Sequence, residues 1–212
     1  MGFELCIFDL DGTLIDTSGD ITGAINDMRA FFNLDKMERD KVVDYVGDGI
    51  RKLVERCIHR QDVDLEEAVS FFEHAYRRRL VETTKPYPGI IKVLNQLEEN
   101  SKAILTNKSY SFTEEIVRKL DLERYFPVIV AGDTLKRKKP FPDAVEHIIG
   151  QTGAQREATV MIGDGKNDVL TARNAGISCI YATYGFGRLR MLGDMQPDYV
   201  INKPEELLDI CL

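Results

Sequence analysis

Apolar positions along the chain follow two kinds of pattern. Phe3–Leu10 (FELCIFDL) is a short apolar run that ends in an acidic, glycine-containing turn, which predicts a buried strand. Lys102–Thr106, Val128–Ala131, Thr159–Gly163 and Ser178–Thr183 repeat it, and Asp198–Ile201 offers a sixth, shorter run. Between them, Gly89–Glu99, Ser111–Leu120, Pro142–Thr152 and Asn167–Ala175 are amphipathic and of helical length. Strands alternating with helices predict an α/β fold, a mostly parallel sheet with helices on both faces.

One stretch breaks the alternation. From about Ser18 to Thr83 the apolar positions recur at i, i+3, i+4 and i+7. Ile21, Ala24, Ile25, Met28 and Phe31 form one stripe; Ile50, Leu53, Val54, Cys57 and Ile58 a second; Leu65, Ala68, Val69, Phe72, Ala75 and Tyr76 a third. This is too much helix for an ordinary strand-to-helix connection. It predicts an inserted all-helical subdomain, residues 18–83, after the first strand, with residues 1–17 and 84–212 forming the α/β core. Residues 83–89, with two prolines, read as the linker that returns to the core.

The 212 residues are 43% hydrophobic and 30% charged, enough apolar mass for a real core, which excludes a wholly disordered chain. A net charge of −7 argues against a nucleic-acid partner, which needs a basic face. Lys136–Lys139 and Arg77–Arg79 are short enough to be solvated patches. Cys6, Cys57, Cys179 and Cys211 lie far apart with no metal-ligand spacing, and Glu4 and Asp9 interrupt the first apolar run. No apolar stretch approaches the ~18 residues of a membrane span. The expectation is a cytoplasmic protein with free thiols and no membrane partner.

In a parallel sheet, ligands bind at the carboxyl ends of the strands. Those ends carry Asp9-Leu10-Asp11-Gly12-Thr13, then Thr106-Asn107, then Lys136-Arg137-Lys138-Lys139-Pro140, then Gly163-Asp164-Gly165-Lys166-Asn167-Asp168. Several carboxylates on one rim repel one another unless a cation sits among them. Mg²⁺ suits an all-oxygen set lacking His or thiolate. Asp9 and Asp164 are the expected side-chain ligands, with Asp11 contributing to the same ion through a backbone carbonyl near it. A carboxylate beside such an ion can also attack phosphorus and form an aspartyl-phosphate, a role that suits Asp9. Lys139 and the Thr106 hydroxyl suit neutralising the phosphoryl oxygens, with Asn107 beside them. Asp11, two residues from Asp9, suits proton transfer to the leaving oxygen and from the incoming water.

These segments resemble the haloacid dehalogenase superfamily of phosphohydrolases: Asp9-Leu10-Asp11-Gly12-Thr13-Leu14, Leu105-Thr106-Asn107, Lys139-Pro140-Phe141-Pro142 and Gly163-Asp164-Gly165-Lys166-Asn167-Asp168. The first and last are specific, and the middle two carry weight only in their company. The resemblance implies a Rossmann-like core with a helical cap inserted after strand one. It implies Asp9 as nucleophile, Asp11 as acid/base, Thr106 and Lys139 as phosphate binders, Asp164 as metal ligand, and Asp168 in a second shell orienting Lys139 or a metal-bound water. Dehalogenases of the superfamily lack the second aspartate and need no metal, so Asp11 favours phosphoryl transfer.

The segment Tyr45-Val46-Gly47-Asp48-Gly49-Ile50-Arg51-Lys52-Leu53 looks like the specificity loop of phosphoglycolate phosphatases. On that reading Arg51 or Lys52 meets the carboxylate of a two-carbon acid. The same segment also fits the start of a helix with Arg51 in solvent. The expected activity is Mg²⁺-dependent hydrolysis of a small phosphorylated metabolite, 2-phosphoglycolate foremost. Pyrophosphate, nucleotide or sugar-phosphate hydrolysis, a β-phosphoglucomutase-like phosphomutase, and a non-catalytic phosphate-binding partner protein are the alternatives.

Overall fold

The computed structural model describes residues 2–60, 62–97 and 101–212. Its centre is a six-stranded sheet built from β1 (Leu5–Phe8), β4 (Ser101–Leu105), β5 (Val128–Val130), β6 (Thr159–Gly163), β7 (Ser178–Ala182) and β8 (Tyr199–Ile201). The spatial order is β5-β4-β1-β6-β7-β8, and every neighbouring pair is parallel. All four residues of β1 are buried, which is why a continuous apolar run rather than an alternating one codes for it. Its side chains still alternate in direction. Cys6 and Phe8 join one apolar layer with Ile90, Phe112, Ile116 and Leu207; Leu5 and Ile7 join the opposite layer with Val145, Ile148 and Val169.

The helices covering these faces are α5 (Ile90–Gln96), α6 (Tyr110–Lys119), α7 (Asp143–Thr152), α8 (Lys166–Ala175) and α9 (Leu207–Cys211). The last predicted residues of the α5 segment, 98 and 99, lie outside the described residues. Between β1 and β4 stand α1 (Ser18–Phe31), α2 (Arg39–Val43), α3 (Ile50–Ile58) and α4 (Leu65–Arg79), with α1 packed against α4 and α2. Phe31 departs from its expected inward position: it is exposed and stacks on Phe71 at 4.6 Å between ring centroids.

A two-stranded antiparallel ribbon, β2 (Ile15–Asp16) with β3 (Lys85–Pro86), joins the segments that enter and leave the helical insert. The sequence reads the second of these only as a linker, because two-residue strands are too short to show any periodicity. Asp20, fully buried in the first turn of α1, ties the same two segments together. Its carboxylate accepts from Thr83 N and Oγ1 at 2.9 and 2.6 Å and from Thr84 N and Oγ1 at 2.9 and 2.6 Å. Burial alone raises the Asp20 carboxyl; these hydrogen bonds more than offset it and hold it below its ordinary value. Asp20→Ala, which strands four donors, is expected to destabilise the protein by about 2–4 kcal/mol in urea unfolding. Because the folded value is depressed, the wild-type advantage is present at neutral pH and shrinks as pH falls through it.

Candidate active site

The parallel register decides which residues meet. Phe8 lies level with Ile104 on one side and Ile162 on the other, so the chain leaves β1, β4 and β6 on the same edge at Asp9, Thr106 and Asp164. Asp9 N donates to Ile162 O at 2.9 Å, and Thr106 N to Val130 O at 3.0 Å. β1 is also where strand order reverses, since β4 lies on one side of it and β6 on the other. A crevice opens at such a switch point.

Into that crevice project Asp9, Asp164 and Asp168, each offering a carboxylate oxygen within 4.8 Å of the others. Lys139, on the loop after β5 and buried, lies 2.8 Å from Asp9 Oδ1 and 2.7 Å from Asp168 Oδ1. Asp168 Oδ2 accepts from Gly165 N at 2.9 Å, so both its oxygens are engaged. Asp164 accepts from Thr13 Oγ1 at 3.0 Å and from Phe186 and Gly187 N at 2.6 and 3.0 Å. Gly12, at φ 88°, lets the turn after β1 press onto Asp164, where a Cβ would collide with the carboxylate.

One lysine does not balance three carboxylates. Burial, then Asp168, push the Asp9 carboxyl up to about 8, against the pull of Lys139. Burial and Asp168 likewise push Asp164 up to about 6, against the donors from Gly187, Phe186 and Thr13. Lys139, which burial alone would lower, is held above its ordinary value by Asp168 and Asp9. An all-oxygen donor set with this excess of buried negative charge fits a hard divalent cation.

Asp11 faces the other way. Its carboxylate accepts from Lys108 Nζ at 2.8 and 2.9 Å and from Thr17 Oγ1 at 2.7 Å. The Asp11 side chain is therefore not part of the carboxylate cluster, and the contribution expected of Asp11 is the one from a backbone carbonyl beside it. The turn after β1 aims Asp9 toward β6 and Asp11 toward the helical insert, and the third carboxylate of the cluster is Asp168. Asp9, Asp11, Thr106, Asn107 and Lys139 do share the wall of one cavity beneath the insert, with Val46, Gly47, Ile50, Leu53 and Phe72.

Two other expectations change. Arg51 points outward from α3 and pairs with Glu66, with its side chain 59% exposed; it belongs to the solvent face of that amphipathic helix. Lys52 likewise pairs with Glu55 at 2.7 Å. The side-chain amide of Asn107 is engaged as a donor to Gly47 O at 2.9 Å and Lys139 O at 3.1 Å, so it fastens the Gly47 loop to the rim rather than aiming at a phosphate. Asn167 Nδ2 adds a bond to Asp48 Oδ1 at 2.7 Å, and Lys138 Nζ bonds Asp48 O.

Residues 6–182 match the haloacid dehalogenase-like hydrolase family. The chain belongs to that family. It is 35% identical over 214 residues to Phosphoglycolate phosphatase 1 of Pseudomonas aeruginosa, covering 97% of this chain and 78% of that protein. It is 36% identical over 209 residues to Phosphoglycolate phosphatase of Agrobacterium fabrum, covering 93% and 88%. A predicted phosphoglycolate phosphatase from Haemophilus somnus has the same fold, with a TM-score of 0.93, 24% identity and coverage of 99% and 98%. Within the haloacid dehalogenase-like hydrolases this chain is a phosphoric monoester hydrolase, which acts on a small phosphorylated substrate.

Sequence reasoning overlooked several residues of this hydrolase's site. Lys108 follows Thr106-Asn107 directly, yet a lone lysine after a strand carries no signal of its own. Thr13 and Thr17 look like ordinary turn residues. The Gly185-Phe186-Gly187 loop after β7 was findable, because two glycines flanking one residue at a strand's carboxyl end mark a close backbone approach. No helix among the described residues is long and apolar enough to cross a membrane.

Proposed function

We propose that this hydrolase converts 2-phosphoglycolate to glycolate and phosphate by two displacements at phosphorus, with Asp9 as nucleophile, beneath a cap formed by residues 18–83. The observation that carries the substrate reading is the lining of the cavity: Asp9, Asp11, Thr106, Lys108 and Lys139 crowd one side and apolar Ile50, Leu53 and Phe72 the other, which suits a small, highly charged ester. A second cavity of about 420 Å³ opens from the same Asp9, Asp11 and Lys139 along Asp164 and Asp168. The names of the Pseudomonas and Agrobacterium relatives support the same reading.

In the first displacement the Asp9 carboxylate attacks phosphorus and the bond to the glycolate oxygen breaks. Asp11 gives that oxygen a proton. In the second, Asp11 takes a proton from water as the water oxygen attacks the aspartyl-phosphate, which releases phosphate and restores Asp9. Lys139 and the Thr106 hydroxyl meet the charge on the phosphoryl oxygens. Asp168 holds Lys139 in place through its 2.7 Å contact. Asp9 and Asp164 are the residues that hold Mg²⁺, which supplies charge neutralisation to the phosphoryl group when bound. Four free, buried cysteines support a reducing, cytoplasmic location.

Phosphate release over a metabolite panel tests the substrate. The expected result is 2-phosphoglycolate ahead in kcat/KM by at least about tenfold. Pyrophosphate, a nucleotide or a sugar phosphate in front, or isomerisation without phosphate release, overturns it. The ion is tested through stability. With Asp9 at about 8 and Asp164 at about 6, both above their unfolded values, the metal-free folded state binds the extra protons. Its stability therefore falls as pH rises through that range. Mg²⁺ competes with those protons, so the Tm gained on adding it is expected to be larger at about pH 8 than at about pH 5, which lies below both values. An equal gain at both pH values contradicts the assignment of the ion to Asp9 and Asp164.

A further inference from the structure

The cavity beneath the cap holds a cation that the phosphoryl chemistry leaves unused. Lys139 is engaged with Asp9 and Asp168 on one side. On the other, Lys108, its side chain 6% exposed, has its ammonium 2.8 Å from Asp11 and 4.9 Å from the ring centroid of Tyr76. Tyr76, on α4, is 1% exposed, and its hydroxyl completes no hydrogen bond of good geometry. Both residues line the same wall as Asp9 and Thr106.

We propose that Lys108, with the Tyr76 hydroxyl, receives the carboxylate of the leaving group, and so selects phosphate esters that carry a second anion one carbon beyond the ester oxygen. The inference rests on the 2-phosphoglycolate reading. In that ester a single methylene separates the ester oxygen from the carboxylate. The group that protonates the first must therefore be a neighbour of the group that binds the second. Asp11 and Lys108 are in direct contact. An ammonium has three N–H donors, and two face the Asp11 oxygens, which leaves one. The Tyr76 hydroxyl oxygen lies beside the Lys108 ammonium, and its O–H is a donor with no acceptor among the described residues. The remaining wall includes Ile50, Leu53 and Phe72, against which a carboxylate without these partners is costly to bury. The cations first expected here, Arg51 and Lys52, face solvent and are paired with Glu66 and Glu55.

The test compares 2-phosphoglycolate with ethyl phosphate, which keeps the two-carbon chain and lacks the carboxylate, in wild type, Lys108→Met, Lys108→Arg and Tyr76→Phe. The wild type is expected to prefer 2-phosphoglycolate. Lys108→Met should lose roughly 10- to 100-fold more kcat/KM on it than on ethyl phosphate, with the difference in KM. Lys108→Arg, which keeps the charge, should retain most of the preference. Tyr76→Phe, which keeps the ring packing, should shrink it several-fold and carries the test alone if Lys108→Met does not fold. Equal losses on both substrates mean that Lys108 only props Asp11, and they overturn the inference while leaving the substrate reading intact. A wild type with no preference overturns the substrate reading and the inference with it.

Discussion

Asp9→Asn is expected to abolish turnover and at the same time to stabilise the metal-free protein. The first effect follows from chemistry. An amide cannot attack phosphorus as a carboxylate does, so the loss should be about 10⁴-fold or more in kcat. The second follows from the charge census of the crevice. Asp9 sits among Asp164 and Asp168 with Lys139 as the nearby counter-charge, and its carboxyl is pushed up to about 8. Asparagine keeps the shape and removes the repulsion, so Tm without metal should rise, more at pH 8 than at lower pH. An inactive variant that is also less stable would indicate lost structure and not lost chemistry. Steady-state phosphate release and calorimetry on the same preparation separate the two.

Lys139→Ala should damage both. It removes the ammonium held 2.8 Å from Asp9 and 2.7 Å from Asp168 and leaves a half-buried and a buried carboxylate facing each other. Breaking such a contact costs about 3–5 kcal/mol. Activity should fall roughly 10²- to 10³-fold, since one fixed positive partner of the phosphoryl oxygens is gone. The stability deficit should narrow at low pH, where Asp9 takes up a proton in place of the lost cation. Lys139→Arg separates charge from shape: it retains the charge and should recover more stability than activity. A deficit independent of pH contradicts the charge argument.

The contrast between these variants shows what the chain reveals on reading. The central strands were legible because burial on both faces demands an uninterrupted apolar run, and Leu5–Phe8 and Thr159–Gly163 meet that demand. Asp9, Thr106 and Asp164 were legible because each stands immediately after such a run, where a parallel sheet must open. The β2–β3 ribbon was not, since it is set by the antiparallel meeting of Ile15–Asp16 with Lys85–Pro86, some seventy residues apart in sequence. Side-chain direction was lost for the same reason. Arg51 and Lys108 are both lysine- or arginine-type cations near glycine or asparagine, and nothing local distinguishes the one that faces solvent from the one that faces Asp11. Only the packing of α4 over the rim, which brings Tyr76 above Lys108, makes that distinction.

The most direct test of the mechanism is rapid acid quench during turnover of 2-phosphoglycolate, followed by peptide mass analysis. A phosphoryl group on Asp9, appearing and decaying at rates that match phosphate release, is the predicted result. A phosphoryl group on any other side chain, or full turnover with no covalent phosphoenzyme at any time, contradicts it.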